Sequence, residues 1–179
     1  WKQYAGGLWN QSFAIKTDGT LWSWGYGTYG GLAQNNTQSY SSPRQVGSDT
    51  NWAVVSQSYY AVAMATKTDG TLWAWGSGAP GSLANNMSGP GGRRSSPIQI
   101  PGTNWGTTIN DIVGGEYGNF ARKTDGTLWA WGMNNAGKLG QNEGPGGNSG
   151  AYSSPVQIPG TWDGINVLSG RSPIAYKNL

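Results

Sequence analysis

Lys16-Thr17-Asp18-Gly19-Thr20-Leu21-Trp22-Ser23-Trp24-Gly25 returns almost unchanged as Lys67–Gly76 and again as Lys123–Gly132, with Ala in place of Ser. A string repeated three times in one chain marks a repeat protein, and this string spells a β-hairpin. Asp-Gly between two β-prone runs predicts a two-residue turn with positive φ at both positions. Beyond the turn, Leu-Trp-x-Trp alternates, so the tryptophans share one face of the strand and leucine takes the other.

The remainder of each repeat falls into the same frame. Trp1, Trp52 and Trp162 stand fifteen residues ahead of Lys16, Lys67 and Lys177, while Trp105 stands eighteen ahead of Lys123 and so carries a small insertion. Ser-Ser-Pro follows each hairpin at 41–43, 95–97 and 153–155, and a short extended run follows each triplet. Tryptophan to tryptophan, the units are 1–51, 52–104 and 105–161, with a fourth begun at 162–179. Periods of 51, 53 and 57 residues suit a propeller blade better than a helical repeat of thirty-odd residues.

Four strands are predicted per unit. The first begins near the leading tryptophan, as in Trp52–Ser56. The second runs into the turn, over Ser12–Lys16, Val62–Lys67 and Asn119–Lys123. The third is Leu-Trp-x-Trp, and the fourth opens on the proline of Ser-Ser-Pro, a residue suited to a sheet edge. In the second strand Phe13, Met64 or Phe120 precedes an alanine, which predicts a tightly packed strand internal to the sheet. Four antiparallel strands per unit without helices make an all-β fold of β-propeller blades. The Trp pairs are its expected filling between blades. Each buried tryptophan removes about 150–250 Å² from water, roughly 4–6 kcal/mol by area. Three complete repeats and the start of a fourth form a partial ring or part of a larger propeller, whose ring is completed by further blades of a longer chain or by other copies.

Composition narrows the chemistry. Of 179 residues 31 are glycine and 11 tryptophan, only 11 % are charged, and cysteine and histidine are absent. Disulfides, thiol catalysis, histidine bases and imidazole or thiolate metal sites are thereby excluded. A net charge of +3, scattered except for Arg93-Arg94, predicts no nucleic-acid partner. No apolar run reaches the roughly 20 residues that span a bilayer, so no membrane insertion is expected. The lone aspartates Asp18, Asp69 and Asp125 read as turn residues and not as calcium ligands. Gly89-Pro90-Gly91-Gly92 lacks the Gly-Lys-Ser/Thr of a phosphate loop. Paired carboxylates for glycoside hydrolysis would have to come from unrelated turns, such as Glu116 and Glu143.

Thr124-Asp125-Gly126-Thr127-Leu128-Trp129-Ala130-Trp131-Gly132-Met133-Asn134-Asn135-Ala136-Gly137-Lys138-Leu139-Gly140 resembles the signature of the regulator of chromosome condensation repeat: Asp-Gly, a strand ending Trp-Gly, Asn, two spacers, then Gly-x-Leu-Gly. The downstream Ser-Ser-Pro-Val-Gln-Ile is similar to bacterial and bacteriophage forms of that repeat. The resemblance implies a propeller of four-stranded blades, usually seven. It departs in the first two repeats, Gly25-Tyr26-Gly27 and Gly76-Ser77-Gly78, which lack the Asn that the third has at Asn134, at Ala33 and Ala84 in place of the last Gly, and at Gln11, which by spacing stands where many members have histidine. The founding member's exchange-factor activity rests on loops without a counterpart here.

Function is therefore expected at the variable connection between the Trp-x-Trp strand and Ser-Ser-Pro, which lengthens through Met87–Arg94 and Gln141–Tyr152. Rigid scaffolds commonly carry specificity on such loops, with Tyr and Arg as anchors. Tyr26, Tyr29, Tyr40, Arg93, Arg94 and Tyr152 are the candidate partner-binding residues. The expected role is a non-catalytic interaction module for a protein or glycan partner, with no cofactor and no metal, in a virion or extracellular setting. The alternative is a regulatory propeller, an exchange factor for a small GTPase or an enzyme inhibitor.

Overall fold

The computed structural model describes residues 1–6, 9–78, 80–87, 89–116, 118–134, 137–142, 150–168 and 172–177. Strands β1 (Gln3–Gly6), β2 (Gln11–Ile15), β3 (Leu21–Gly25) and β4 (Tyr40–Gln45) form one antiparallel sheet in that order. Strands β5 (Trp52–Ser58), β6 (Val62–Lys67), β7 (Leu72–Gly76) and β8 (Arg94–Ile100) form the second. Strands β9 (Ile112–Gly114), β10 (Gly118–Arg122), β11 (Thr127–Gly132) and β12 (Tyr152–Thr161) form the third. A two-stranded sheet of β13 (Gly164–Leu168) and β14 (Ser172–Tyr176) follows. The second strands start or stop a residue from expectation in the first and third sheets; β6 coincides with it. Helix is limited to short 3-10 turns among the described residues, and none could cross a membrane.

The first strands of successive sheets lie side by side, β1 against β5, β5 against β9 and β9 against β13. They make the inner rim, and β4, β8 and β12 the outer edges. Between sheets the core repeats one arrangement. Phe13, Ile15, Leu21 and Val46 of the first blade meet Trp52, Ala63, Ala65 and Trp75 of the second. Met64, Leu72, Leu83 and Ile100 of the second then meet Trp105, Ala121 and Trp131 of the third. Phe120, Leu128 and Leu139 of the third meet Ile165, Trp162 and Ala175 of the last sheet. The alternation expected for Leu-Trp-x-Trp is thus the wedge between blades: leucine points at the following blade, the indoles at the preceding one. Small Ala63 and Ala65 leave room for the indoles of the neighbouring strand. The tryptophan face of the first blade is the exception, since Trp1 is 62 % exposed and Trp22 and Trp24 are half-buried.

The turn differs from the two-residue form that Asp-Gly suggested. Lys16 N–H bonds the Thr20 carbonyl (3.0 Å) and Gly19 N–H the Lys16 carbonyl (3.0 Å), which makes a three-residue loop. Only its glycine is left-handed, at φ 80°, 77° and 84° for Gly19, Gly70 and Gly126. The turn chooses this form because aspartate works as an acceptor rather than as a left-handed residue: Asp18 Oδ1 takes the Thr20 N–H and Oγ1–H (3.0 and 2.7 Å). The same bonds recur at Asp69–Thr71 and Asp125–Thr127.

Proline does not open the fourth strand. β4, β8 and β12 begin three residues earlier, and Pro43, Pro97 and Pro155 fall inside register shifts. Tyr40 pairs with Gly25 but Arg44 with Ser23; the same step separates Arg94 from Ile98 and Tyr152 from Val156. A bulge on an outer edge lets a residue without an N–H sit off the ladder.

Candidate functional site

Each blade first builds a cage of its own. The leading tryptophan lies 6.2 to 6.4 Å from both indoles of its third strand: Trp1 with Trp22 and Trp24, Trp52 with Trp73 and Trp75, Trp105 with Trp129 and Trp131. The lysine before the turn caps two of the rings. Lys67 Nζ sits 4.8 Å from the Trp52 ring and 4.2 Å from Trp73; Lys123 sits 5.0 and 4.8 Å from Trp105 and Trp129. Trp22, Trp73 and Trp129 donate Nε1–H to the threonine hydroxyl that aspartate holds. Those hydrogen bonds, first the threonine hydroxyl and then its N–H, keep Asp18, Asp69 and Asp125 below the ordinary carboxylate value of 3.8. The fifteen-residue spacing of Trp and Lys was the signal for this cage, but only the structure shows charge over ring. The indole pairs therefore serve packing, and the aspartates serve their turns.

The candidate loop residues lie at the opposite end of the strands from the Asp-Gly turns, and they part company. Tyr29 and Arg93 come together, the guanidinium 4.4 Å from the ring centroid although 64 residues separate them in sequence. They line a cleft of about 390 Å³ between the first two blades with Thr28, Gly30, Thr37 and Ser95. Two contacts fix the walls. Asn35 N–H donates to the Ser95 carbonyl (2.7 Å), and a Cβ on Gly30 would come within 2.5 Å of the Ser95 Cα. Tyr29 itself is left-handed at φ 62°, a strained state for an aromatic residue that the surrounding contacts hold in place. Among the described residues no carboxylate lines this cleft.

The other candidates serve their own strands. The Arg44 guanidinium stacks 4.0 Å over Tyr40, whose hydroxyl bonds Asn36 and Gln38. Arg94 donates to the carbonyls of Gly91 and Arg93, closing its own loop. Tyr152 packs inward on the cluster of Phe120 and Leu128. Tyr26 is 46 % exposed, and its carbonyl accepts the Gln11 amide (2.9 Å). Gln11 is thus a buried brace for that loop. Glu116 lies in the bend before β10 and is partly buried; Glu143, with most of the 141–152 connection, lies outside the described residues.

One aromatic group escaped sequence reasoning. Trp9, at the β1–β2 turn, meets Tyr59 (5.7 Å) and Tyr60 (5.2 Å) at the β5–β6 turn. Both turns place two non-glycine residues in the left-handed region, Trp9-Asn10 and Tyr60-Ala61, where Asn-Gly is the usual choice. No hairpin signal could announce them. The arrangement offers stacking, amide and guanidinium contacts. Among the described residues no group of three His, Cys, Asp or Glu is placed to hold a metal.

Comparison with known proteins agrees with this architecture. The profile of the regulator of chromosome condensation (RCC1) repeat matches residues 18–60 and 125–168. The human E3 ubiquitin-protein ligase HERC2 is 31 % identical over 133 residues, covering 73 % of this chain and 3 % of that protein. The Arabidopsis thaliana RCC1 domain-containing protein RUG3, mitochondrial, is 27 % identical over 168 residues, 90 % of this chain and 35 % of its own length. Human WBSCR16 superimposes with a TM-score of 0.71 at 24 % identity, over 88 % of this chain and 37 % of that one. Yeast RCC1 (Prp20), solved bound to Kap60, gives 0.71 at 20 % identity over 89 % and 35 %. The chain thus spans about a third of RUG3 and of each solved propeller, and far less of HERC2. These relatives lend nothing to a bacterial or bacteriophage origin. With three four-stranded sheets set around a common rim and a two-stranded sheet beside them, the chain belongs to the regulator of chromosome condensation repeat family and is a partial β-propeller built of its blades.

Proposed function

We propose that this chain is a non-catalytic interaction unit of a regulatory propeller, and that it receives a protein partner in the cleft between its first two blades. The Arg93 guanidinium held over the Tyr29 ring carries this reading. Stacking orients the guanidinium while leaving its N–H edge for a carboxylate or carbonyl of the partner. A concave site that presents hydroxyls from Thr28, Thr37 and Ser95 around a pre-ordered Arg and an aromatic ring suits an anchor residue of a protein interface. Tyr26 and the Trp9–Tyr59–Tyr60 group would extend the contact on the same end of the blades.

The structural relatives favour proteins over glycans as partners. One is described bound to Kap60, and Prp20p is described with binding properties to Gsp1p and histones. They support the regulatory alternative over a virion or adhesion role. Surface binding to purified Kap60, Gsp1p and histones tests the proposal, with a glycan array as the opposing arm. Tyr29→Ala and Arg93→Ala should each weaken a protein interaction by roughly 5- to 150-fold, as for an anchor worth about 1–3 kcal/mol. Arg94→Ala, whose charge closes its own loop, should change it little. Binding to glycans alone, or equal binding by all three variants, would remove the cleft from consideration.

A further inference from the structure

Among the described residues, the seam between the first two blades carries hydrogen-bond donors without acceptors. The Arg93 guanidinium, held 4.4 Å over the Tyr29 ring, makes no hydrogen bond or ion pair among those residues. The hydroxyls of Thr28, Thr37 and Ser95, which line the same cleft, make no hydrogen bond among them either. Arg94 differs, for it directs its donors to the carbonyls of Gly91 and Arg93 and to the Met87 sulfur. Nor do the first two blades hold an anion to answer Arg93. Residues 1–104 contain three carboxylates, Asp18, Asp49 and Asp69. Asp18 and Asp69 accept hydrogen bonds within the turns at the far end of the strands, and Asp49 pairs there with Lys67 at 2.8 Å.

The second seam has the same frame without this chemistry. Asn86 N–H donates to the Ser153 carbonyl (2.8 Å) as Asn35 N–H does to that of Ser95, and Gly81 abuts Ser153 as Gly30 abuts Ser95. In that frame Pro80 stands where Tyr29 does, and Ala151 where Arg93 does. Ring and charge are therefore additions to the first seam and not parts of the blade. Resting on the cleft as a protein site, we infer that it receives a phosphoryl group carried on a serine or threonine of the partner. Such a group brings about −1.5 to −2 charge and three strong acceptor oxygens. A carboxylate is planar, and the guanidinium fork alone matches it. A tetrahedral group leaves oxygens beyond the fork, and hydroxyls from three separate segments of the chain line the cleft to meet them. Stacking on Tyr29 fixes the plane of the fork, so it loses little freedom when it closes on the ligand.

Calorimetry of the whole chain with blocked Ala-Ala-phosphoserine-Ala-Ala, its unphosphorylated form and the same peptide with glutamate at the centre tests this. Saturable one-to-one binding of the first is expected, with the other two at least about tenfold weaker. Arg93→Ala should abolish that binding. Arg93→Lys, which keeps the charge but loses the fork, should weaken it about tenfold. Arg94→Ala should leave it unchanged. No saturable binding of the phosphopeptide, equal binding of the glutamate peptide, or binding that survives Arg93→Ala would each overturn the phosphoryl assignment. Should an unphosphorylated protein still bind in an Arg93-dependent manner, that assignment alone falls and the cleft stands as a protein site. If neither binds, both fall.

Discussion

The equivalent tryptophan of three blades sits in two settings, buried in a seam twice and on an open face once, which makes its removal an internally controlled experiment. Trp75 is fully buried, 5.7 Å from Phe13 and 6.4 Å from Trp52, and its Nε1–H donates to the Gly31 carbonyl at 3.1 Å. Trp131 repeats this with Trp105 at 6.4 Å and the Ser82 carbonyl at 3.0 Å. Trp24 is its counterpart in the first blade, half-buried against Trp1 and Tyr4, which are themselves 62 % and 61 % exposed. Trp75→Ala opens a core cavity worth about 3–5 kcal/mol. The carbonyl it deserts adds about 1 kcal/mol or more. Trp24→Ala loses only exposed aromatic contacts, about 0.5–1.5 kcal/mol. Against a domain stability of roughly 5–15 kcal/mol, the first change should collapse the seam between blades and the second should barely register. Urea unfolding followed by far-ultraviolet circular dichroism measures both, with amide exchange assigning the loss to its blades. Equal costs for Trp24→Ala and Trp75→Ala would refute the claim that indoles stabilise by filling the seam.

Three further outcomes are expected. Ala33 and Ala84 are left-handed at φ 56° and 51°, where Gly140 stands at 66° in the third blade; relief of about 1–2 kcal/mol of strain, less about 0.4–1 kcal/mol of chain entropy, should make Ala33→Gly and Ala84→Gly neutral or stabilising in thermal melts, whereas Gly140→Ala should destabilise. The turn aspartates are held below their ordinary value by hydrogen bonds, so their contribution is complete above 3.8 and is lost as pH falls through and below it; an acid titration of indole fluorescence should show its transition below 3.8, and one above that value contradicts the hydrogen-bond account. Asp111, buried, pairs with Arg122 at 2.7 Å and accepts the Thr108 N–H and Oγ1–H; Asp111→Ala strands the guanidinium, should cost about 3 kcal/mol, and should expose residues 107–110 to protease.

Much of the architecture was written in the repeats. Strict alternation in Leu-Trp-x-Trp and a recurring Trp–Lys spacing, fifteen residues in three copies and eighteen in the third blade, gave the strand order and the packing faces, because each depends on period and residue size alone. The turn was misjudged because Asp-Gly fits two loop lengths, and the choice lies with Thr20, Thr71 and Thr127, whose hydroxyls recruit the aspartate. Of the candidate site, the pairing of Tyr29 with Arg93 needed two loops to meet across a blade boundary, which no local pattern encodes. Arg94 was indistinguishable from Arg93 in sequence, yet one closes its own loop and the other faces the cleft. The Trp9–Tyr59–Tyr60 group lay hidden because its turns violate the usual hairpin chemistry.

The insertion of residues 107–110 has a consequence for how the molecule is approached. Gly106 and Asp111 both bond Arg122 through the backbone, so the extra residues leave the inner strand as a closed spur. Ile109, 64 % exposed, stands at its tip near Lys2 and Val54. The third blade thus carries on the inner rim an exposed apolar landmark that the first two blades lack.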